Sequence, residues 1–568
     1  MTTSARPFSV LLLVASLVLA ALPSVPGRAA PADEAPGSGG RLVPAPWSPL
    51  GPGPLALAPR PPLAAARAAS RQQEPPTPWE AIDSCVREEM DIEAGPGAAI
   101  AVYQGGKLVY QKGYGTRVRD GDQPVDAQTQ FRIGSITKMF TAAAVMQEVD
   151  AGRVDLRAPL TTYVPELALA DPGAAASLTP WNLLTHSSGY PDNVLLGLDS
   201  IDGAKDDAGL AAWVGTQKGT HLHVPPGTLW NYSNSNFTLA GLVAERASGI
   251  PYHRLMAERV FARAGLTNTT LLPAEVLARG NFSTGYWTNP LTGEPQVSGP
   301  DAYDNWAAAP AGYAFSTAGD LVRWAALLMH GGDGVISPAA AQAMQARQQS
   351  LDYFPDYDYG FGVFRERYKG LDVMSHGGNI PGWGGYLLWV PEADFAVATL
   401  VSAFPATLDR SAYCAVDAIL KPQGEQPGRP AGDPTEWPGF LGDFGGWVVD
   451  DSYLRTRVEA KADDSLAMVF PEIPIDMQGT PFRTDLRNAF VRTFAFDSNG
   501  DGQPDDSISF IPDKADPSRL WIRNRGWVLS RPELVTPTAR PEPSATPTPK
   551  PQRAAVFLPR LASSRGDS

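Results

Sequence analysis

Two β-type runs, the wholly apolar Ala98 to Tyr103 and the mixed Lys107 to Gly113, meet at Gly105 and Gly106, and this pattern predicts a β-hairpin. Before it, Trp79 to Asp91 reads as a helix. After it, Ser135 to Val149 carries apolar residues at Ile136, Met139, Phe140, Ala143 and Val145 with no Gly or Pro, which predicts a second helix starting at Ser135. From Asp155 to about His330 the signals are mostly helical or loop-like, at Trp181 to Leu184, Asn236 to Ser248, His253 to Ala264 and Thr317 to Leu328. The period then changes. Val373 to Met374, Gly385 to Val390 and Phe395 to Val401 are short β-type runs, and Arg410 to Leu420 closes as a helix. A hairpin and helix near one end, with strands and a helix near the other, predict one sheet built from both ends of the chain.

Outside this unit the composition shifts. Arg6 precedes an apolar stretch from Phe8 to Leu22 that leads to small residues at Ala29 and Ala30, as in a secretory signal over residues 1–30. Residues 31–76 are rich in Pro, Ala and Gly and read as a linker. A domain over 77–420, a second linker over 421–436 and a small all-β domain over 437–535 follow, the last opening with a strand from Phe440 to Trp447. Residues 536–568 form a Pro/Thr-rich tail expected to be disordered. No run is long enough to span a bilayer, since Phe8 to Leu22 is too short and Ala554 to Leu561 is broken by Pro559 and Arg560. The expected location is therefore extracytoplasmic, at the cell envelope or beyond.

The 568 residues are 43% hydrophobic, enough for a proper core, and carry a net charge of −14. That balance excludes a basic footprint for nucleic acid. Two cysteines, Cys85 and Cys414, stand far apart. Export permits a disulfide, but their spacing leaves two free thiols equally open.

Chemistry enters at Ser135, Ile136, Thr137 and Lys138, an S-x-x-K. On a helix the serine and lysine share a face, roughly 5–6 Å apart at Cβ, and an amine so placed can take the hydroxyl proton. Two further motifs offer partners: Tyr232, Ser233 and Asn234 (Y-S-N), and His376, Gly377 and Gly378 (H-x-G). Each has a decoy, in Tyr303, Asp304 and Asn305, and in His330, Gly331 and Gly332. His330 follows a helical run, where His and Gly are ordinary end residues. His376 precedes the Gly-rich run Gly382 to Val390, where backbone can approach a substrate closely.

S-x-x-K, Y-S-N and H-x-G in this order resemble the penicillin-recognising serine hydrolases: class C β-lactamases, D-alanyl-D-alanine carboxypeptidases, D-aminopeptidases and related esterases. The segments FRIGSITK (Phe131 to Lys138), LLTHSSG (Leu183 to Gly189), PGTLWNYSN (Pro226 to Asn234), AGYAFSTAGD (Ala311 to Asp320) and SHGGNIPG (Ser375 to Gly382) carry the resemblance over about Trp79 to Leu420. It implies an α+β fold of the β-lactamase/transpeptidase type, an antiparallel sheet flanked by helices with a mostly helical lobe. It also implies roles. Ser135 would be the acylated nucleophile, Lys138 its base and Tyr232 the proton relay to the leaving group. Asn234 would hydrogen-bond substrate, and His376 would orient Tyr232 and face a substrate carboxylate. The backbone N–H groups of Ser135 and Asn379, the latter just beyond Gly378, would form the oxyanion hole. In this family the first and last helices pack side by side, which implies a Cys85–Cys414 disulfide.

His376 stands where many relatives have a lysine. A histidine titrates near neutrality, so the sequence leans toward peptidase or esterase chemistry and an activity limb near neutral pH. Glu166 lacks the context of a deacylating glutamate and reads as structural, and no G-x-S-x-G supports an α/β-hydrolase elbow. His221 and His223 lack a third metal ligand and read as loop residues. In the small domain, which resembles lipocalin-like β domains, Asp497, Asn499, Asp501 and Asp505 have the spacing of a structural calcium loop. Ile508 replaces its glutamate, and a hairpin turn fits these residues equally well.

The expected function is an exported serine hydrolase acting through an acyl-enzyme on amides or esters, like a D-alanyl-D-alanine carboxypeptidase. An esterase or class C-type β-lactamase would use the same residues. An idle penicillin-binding protein is the alternative from another class. The expected partners are a small peptide, ester or β-lactam and the cell wall, with no cofactor beyond the calcium candidate.

Overall fold

The computed structural model describes residues 76–192, 207–289, 293–302, 305–352, 356–426, 431–448, 453–474, 480–490, 492–496, 506–524 and 527–531. The leader, the first linker, the tail and the calcium candidates Asp497, Asn499, Asp501 and Asp505 lie outside these residues.

Helix α1 (Pro78–Glu93) starts at a capping box, in which Thr77 Oγ1 accepts from Glu80 N and Glu80 Oε2 accepts from Thr77 N at 2.8 Å. The predicted hairpin follows as β1 (Gly97–Gln104) and β2 (Lys107–Gly115), turning at Gly105 and Gly106, both with positive φ. Helix α2 (Thr137–Asp150) is buried nearly all round, which explains why its apolar residues are not confined to one stripe. Helices α3 (Asn234–Ser248) and α4 (Ala318–Met329) belong to the helical lobe, and α5 (Asp409–Leu420) closes the domain.

The remaining strands of the main sheet are β3 (Gln349–Ser350), β4 (Asp358–Tyr359), β5 (Phe364–Tyr368), β6 (Leu371–Ile380), β7 (Trp383–Val390) and β8 (Phe395–Val401). Their order is β2-β1-β8-β7-β6-β5-β4-β3, and every neighbouring pair is antiparallel. β1 joins β8 with Ala98 opposite Val401, so the two chain ends do build one sheet. Both faces are covered. Ala99 and Ala101 of β1 pack toward the helical lobe, while Ala98, Ile100 and Val102 pack on the face shared with α1 and α5. On that second face Cys85 and Cys414 form a disulfide, and Glu89 accepts from the backbone N–H of Ser411 at 2.7 Å at the start of α5.

Eight further strands form a closed antiparallel barrel: β9 (Gly442–Trp447), β10 (Tyr453–Ala460), β11 (Leu466–Pro474), β12 (Pro481–Phe490), β13 (Thr493–Phe496), β14 (Asp506–Pro512), β15 (Leu520–Arg523) and β16 (Val528–Ser530). Gly445 pairs with Ser530 to close it. Its interior is filled by side chains such as Met468, Phe494, Ile508 and Phe510. Phe440, expected in the opening strand, lies instead in a 3-10 turn and stacks on Phe510 at 4.3 Å. β13 and β14 pair across the segment that holds the calcium candidates, and Ile508 points into the barrel core.

Candidate active site

Ser135 sits in a 3-10 turn, Gly134–Ile136, immediately before α2, one step outside the α-helix predicted to begin with it. The turn exists because Gly134 takes φ +50°, and Thr137 secures it by donating to Gly134 O at 2.7 Å and accepting from Ala314 N at 3.1 Å. The geometry still brings Lys138 Nζ to 3.0 Å from Ser135 Oγ.

Lys138 is fully buried, and its ammonium group reaches Asn234 Oδ1 at 2.7 Å and Ala311 O at 2.6 Å besides Ser135. Both of those oxygens can only accept. Two N–H bonds are thereby committed, and the third tetrahedral position faces the Ser135 hydroxyl, where a neutral amine presents its lone pair. The nitrogen also lies 4.8 Å from the centre of the Tyr232 ring.

Asn234 opens α3 and is 2% exposed. Its Nδ2 donates to both carboxylate oxygens of Asp192 at 3.1 Å, and its backbone N–H donates to Asp192 Oδ1 at 2.8 Å. Asp192 therefore turns the amide so that its carbonyl meets Lys138. Asn234 was expected to bind substrate; its side chain is engaged at both ends inside the protein. Asp192 carries no sequence motif, and only its position after LLTHSSG hints at a role.

His376 and Gly378 lie within β6 on the face toward the helical lobe, rather than ahead of the strand as expected. A Cβ at Gly378 would sit 1.8 Å from Ile133 O and 2.9 Å from Ser135 N, and one at Gly134 would sit 2.5 Å from Asn379 N. Two glycines thus let β6 touch the nucleophile turn, with the backbone of Asn379 beside Gly134 and that of Ser135 beside Gly378. The Asn379 side chain turns elsewhere and accepts from Ala406 N at 3.1 Å.

The H-x-G histidine differs from its expected role in two respects. It is completely buried, and that burial, reinforced by the charge of Lys138, lowers its pKa to about 3. Its ring is neutral across the physiological range and offers no cation to a carboxylate. Its two ring nitrogens also turn to Gly377 and Tyr359 rather than to Tyr232. Nδ1 donates to Gly377 O at 2.6 Å, so Nε2 accepts from the Tyr359 hydroxyl at 3.1 Å. Tyr359, on the short strand β4, and His186, whose ring is 4.2 Å from that of Tyr232, are site neighbours that sequence reasoning missed. His186 lies in LLTHSSG, a segment recognised without a role, and its Nδ1 accepts from Ser233 N at 3.2 Å.

The other candidates fall away from this centre. His330 caps the end of α4 and pairs with Asp394 at 2.9 Å on the surface. Tyr303 and Asp304 are outside the described residues, while Asn305 accepts from Ala307 N at 2.9 Å in a local turn. Glu166 pairs with Arg246 at 2.8 Å at the surface. His221 stacks on Trp447, and His223 is buried with its pKa lowered to about 4 by desolvation.

The Beta-lactamase family profile matches residues 82–419, more than half of the chain. The chain belongs to the β-lactamase family. Members of this family are generally serine hydrolases. Penicillin-binding protein 4 of Amycolatopsis lactamdurans is 28% identical over 337 residues, 58% of this chain and 86% of that protein. The next curated relatives are matched over about three fifths of their own length. Among solved structures, SurE aligns with a TM-score of 0.60 at 22% identity, over 80% of this chain and 99% of its own. The octameric penicillin-binding protein homologue from Pyrococcus abyssi aligns at 0.54 and 20% identity, over 80% of this chain and all of its own. These structural likenesses establish the β-lactamase-type fold. Among the described residues, no helix of this family member is long and apolar enough to cross a membrane.

Proposed function

We propose that this chain hydrolyses an amide or ester through an acyl-enzyme at Ser135, with D-amino-acid peptides as its substrate class and D-alanyl-D-alanine carboxypeptidase-like cleavage as the specific reaction. The observation that carries the reading is the anchoring of Lys138 by Asn234 and Ala311 with its amine 3.0 Å from the Ser135 hydroxyl. Lys138 takes the serine proton as Oγ attacks the carbonyl carbon. The oxyanion is met by the backbone N–H groups of Ser135 and Asn379, donors of the kind worth about 3–4 kcal/mol by removal. Tyr232 passes a proton to the departing amine or alcohol as the carbonyl re-forms. Water then attacks the acyl-enzyme, giving the acid and restoring Ser135.

One observation favours a second reading, an amidase or esterase acting on uncharged substrates: His376 is buried and neutral, so it supplies no charge for a terminal carboxylate. The N-terminal pattern from Arg6 to Ala30 and the Cys85–Cys414 disulfide support export to the cell envelope.

Turnover of a D-Ala-D-Ala peptide, its C-terminal amide, a p-nitrophenyl ester and nitrocefin tests the proposal. The carboxypeptidase reading expects the free acid to be cleaved faster than its amide. The reverse order selects the second reading. Covalent labelling by fluorescent penicillin or a fluorophosphonate that survives Ser135→Ala overturns both, and absence of any label on the unmodified protein favours a binding protein.

A further inference from the structure

Strands β14, β15 and β16 of the barrel alternate. Phe510, Ile522 and Leu529 point into the barrel, whereas Ile511, Trp521 and Val528 join a second buried cluster that includes Trp230 and Tyr232. Arg523 follows Trp521 on the same outward face. It is 3% exposed, its Nε donates to Asn231 Oδ1 at 3.1 Å, and its guanidinium carbon lies 5.2 Å from the centre of the Trp230 ring. Elsewhere on the interface His221 stacks on Trp447, with ring centres 3.8 Å apart and planes 4° from parallel.

These contacts fall on one stretch of the hydrolase domain. Residues Thr220 to Ser233 have no helix or strand of their own, so no ladder of backbone hydrogen bonds sets their course. Single backbone bonds tie them at points, from His223 N to Gly189 O at 2.8 Å and from Gly227 N to Ser187 O at 2.7 Å, and side-chain anchors add to these. Asn231 is held from the barrel by Arg523 and from within by its backbone N–H, which donates to His186 O at 2.8 Å. The next residue is Tyr232. A buried guanidinium is costly without partners, and Asn231 and the Trp230 ring are two that the loop offers to Arg523.

We propose that Arg523 is a positioning residue for Tyr232: by holding Asn231 it sets the loop that presents the tyrosine to Lys138, and the barrel is thereby a working part of the hydrolase site. The inference rests on the acyl-enzyme reading, in which Tyr232 carries the proton to the leaving group.

The test uses the full chain and a p-nitrophenyl ester, with thermal unfolding followed for every variant. Arg523→Ala is expected to lower kcat on the order of 10-fold with KM within twofold, because a misplaced catalytic group loses rate rather than affinity. Arg523→Lys should recover part of the loss. Arg483→Ala, which removes an exposed 2.7 Å pair with Glu459 within the barrel, should leave kcat unchanged. In a Tyr232→Phe background Arg523→Ala should cost nothing further, an outcome that general loosening of the interface would not produce. Wild-type kcat in folded Arg523→Ala, or an undiminished effect in the Tyr232→Phe background, overturns the proposal. Ser135→Ala separates the two levels: if it retains turnover, the acyl-enzyme reading itself has failed.

Discussion

Lys138 Nζ lies 3.0 Å from Ser135 Oγ, and the nitrogen also bonds Asn234 Oδ1 and Ala311 O, which can accept protons but not give them. The lysine is held in one orientation with respect to the serine. Asp192 extends the arrangement outward by fixing the amide of Asn234.

Loss of this amine should remove proton transfer while leaving the fold. Lys138→Ala and Tyr232→Phe are each expected to slow acylation by about 10²–10⁴-fold. Stopped-flow or gel-based labelling with fluorescent penicillin measures it, and equal rates in wild type and either variant would end the mechanism. Asp192→Ala should slow acylation through Asn234, with Asp192→Asn intermediate.

Contact between β6 and the nucleophile turn depends on a missing side chain. Gly378→Ala would place a methyl group 1.8 Å from Ile133 O, so strand and turn must separate. Acylation should fall by at least about 10²-fold, the scale of losing one oxyanion donor, and overpacking should cost about 1–3 kcal/mol in stability. A fully active, equally stable Gly378→Ala would refute this geometry.

The pH dependence follows from burial. His376 is lowered to about 3, first by desolvation and then by Lys138, so the rate should show no limb from this ring between about pH 5 and 9. A limb near pH 6.5 that disappears in His376→Gln would contradict it. His223 is lowered to about 4. For both residues the unfolded chain binds the proton more tightly, so their contribution is full above the ordinary value of 6.5 and is lost as pH falls toward the folded values. Melting temperatures from pH 7 to 4 should decline, and His223→Gln should lessen the decline.

Glu89 has the opposite sign. Burial, followed by the nearby charge of Asp409, raises it to about 7. Its contribution is full below the ordinary value of 4.5 and is lost as pH rises through about 7. Glu89→Gln should therefore soften the fall in melting temperature between about pH 4.5 and 7, and an unchanged slope would count against this assignment.

The Cys85–Cys414 bond joins α1 to α5 across 329 residues. Closing so long a loop restricts the unfolded chain, and replacing both cysteines by serine should lower stability by about 2–5 kcal/mol. Denaturant unfolding with matched m-values checks the magnitude. Alkylation without reductant, read by mass spectrometry, should leave the wild-type mass unshifted.

Much of the fold was legible because its signals are local. The hairpin at Gly105 and Gly106, the apolar runs of β7 and β8 and the helices α1 and α5 each follow from turn residues and period. The nucleophile pair was legible too, since S-x-x-K spacing survives when Ser135 moves from an α-helix into a 3-10 turn. Tyr359, His186 and Asp192 were not, because they meet the motif residues across 17 to 47 positions of chain.

By itself, then, the sequence determined the elements, the family resemblance and the order of Ser135, Lys138, Tyr232 and His376, because residue type and spacing carry that information directly. Tertiary structure alone decided which partner each side chain faces. It directs Asn234 to Asp192 and Lys138, pairs neutral His376 with Tyr359, and brings Arg523 to Asn231 across 292 residues. The physical reason is that hydrogen-bond direction and desolvation depend on what surrounds a group in space, and distant segments supply those surroundings only once the chain has folded.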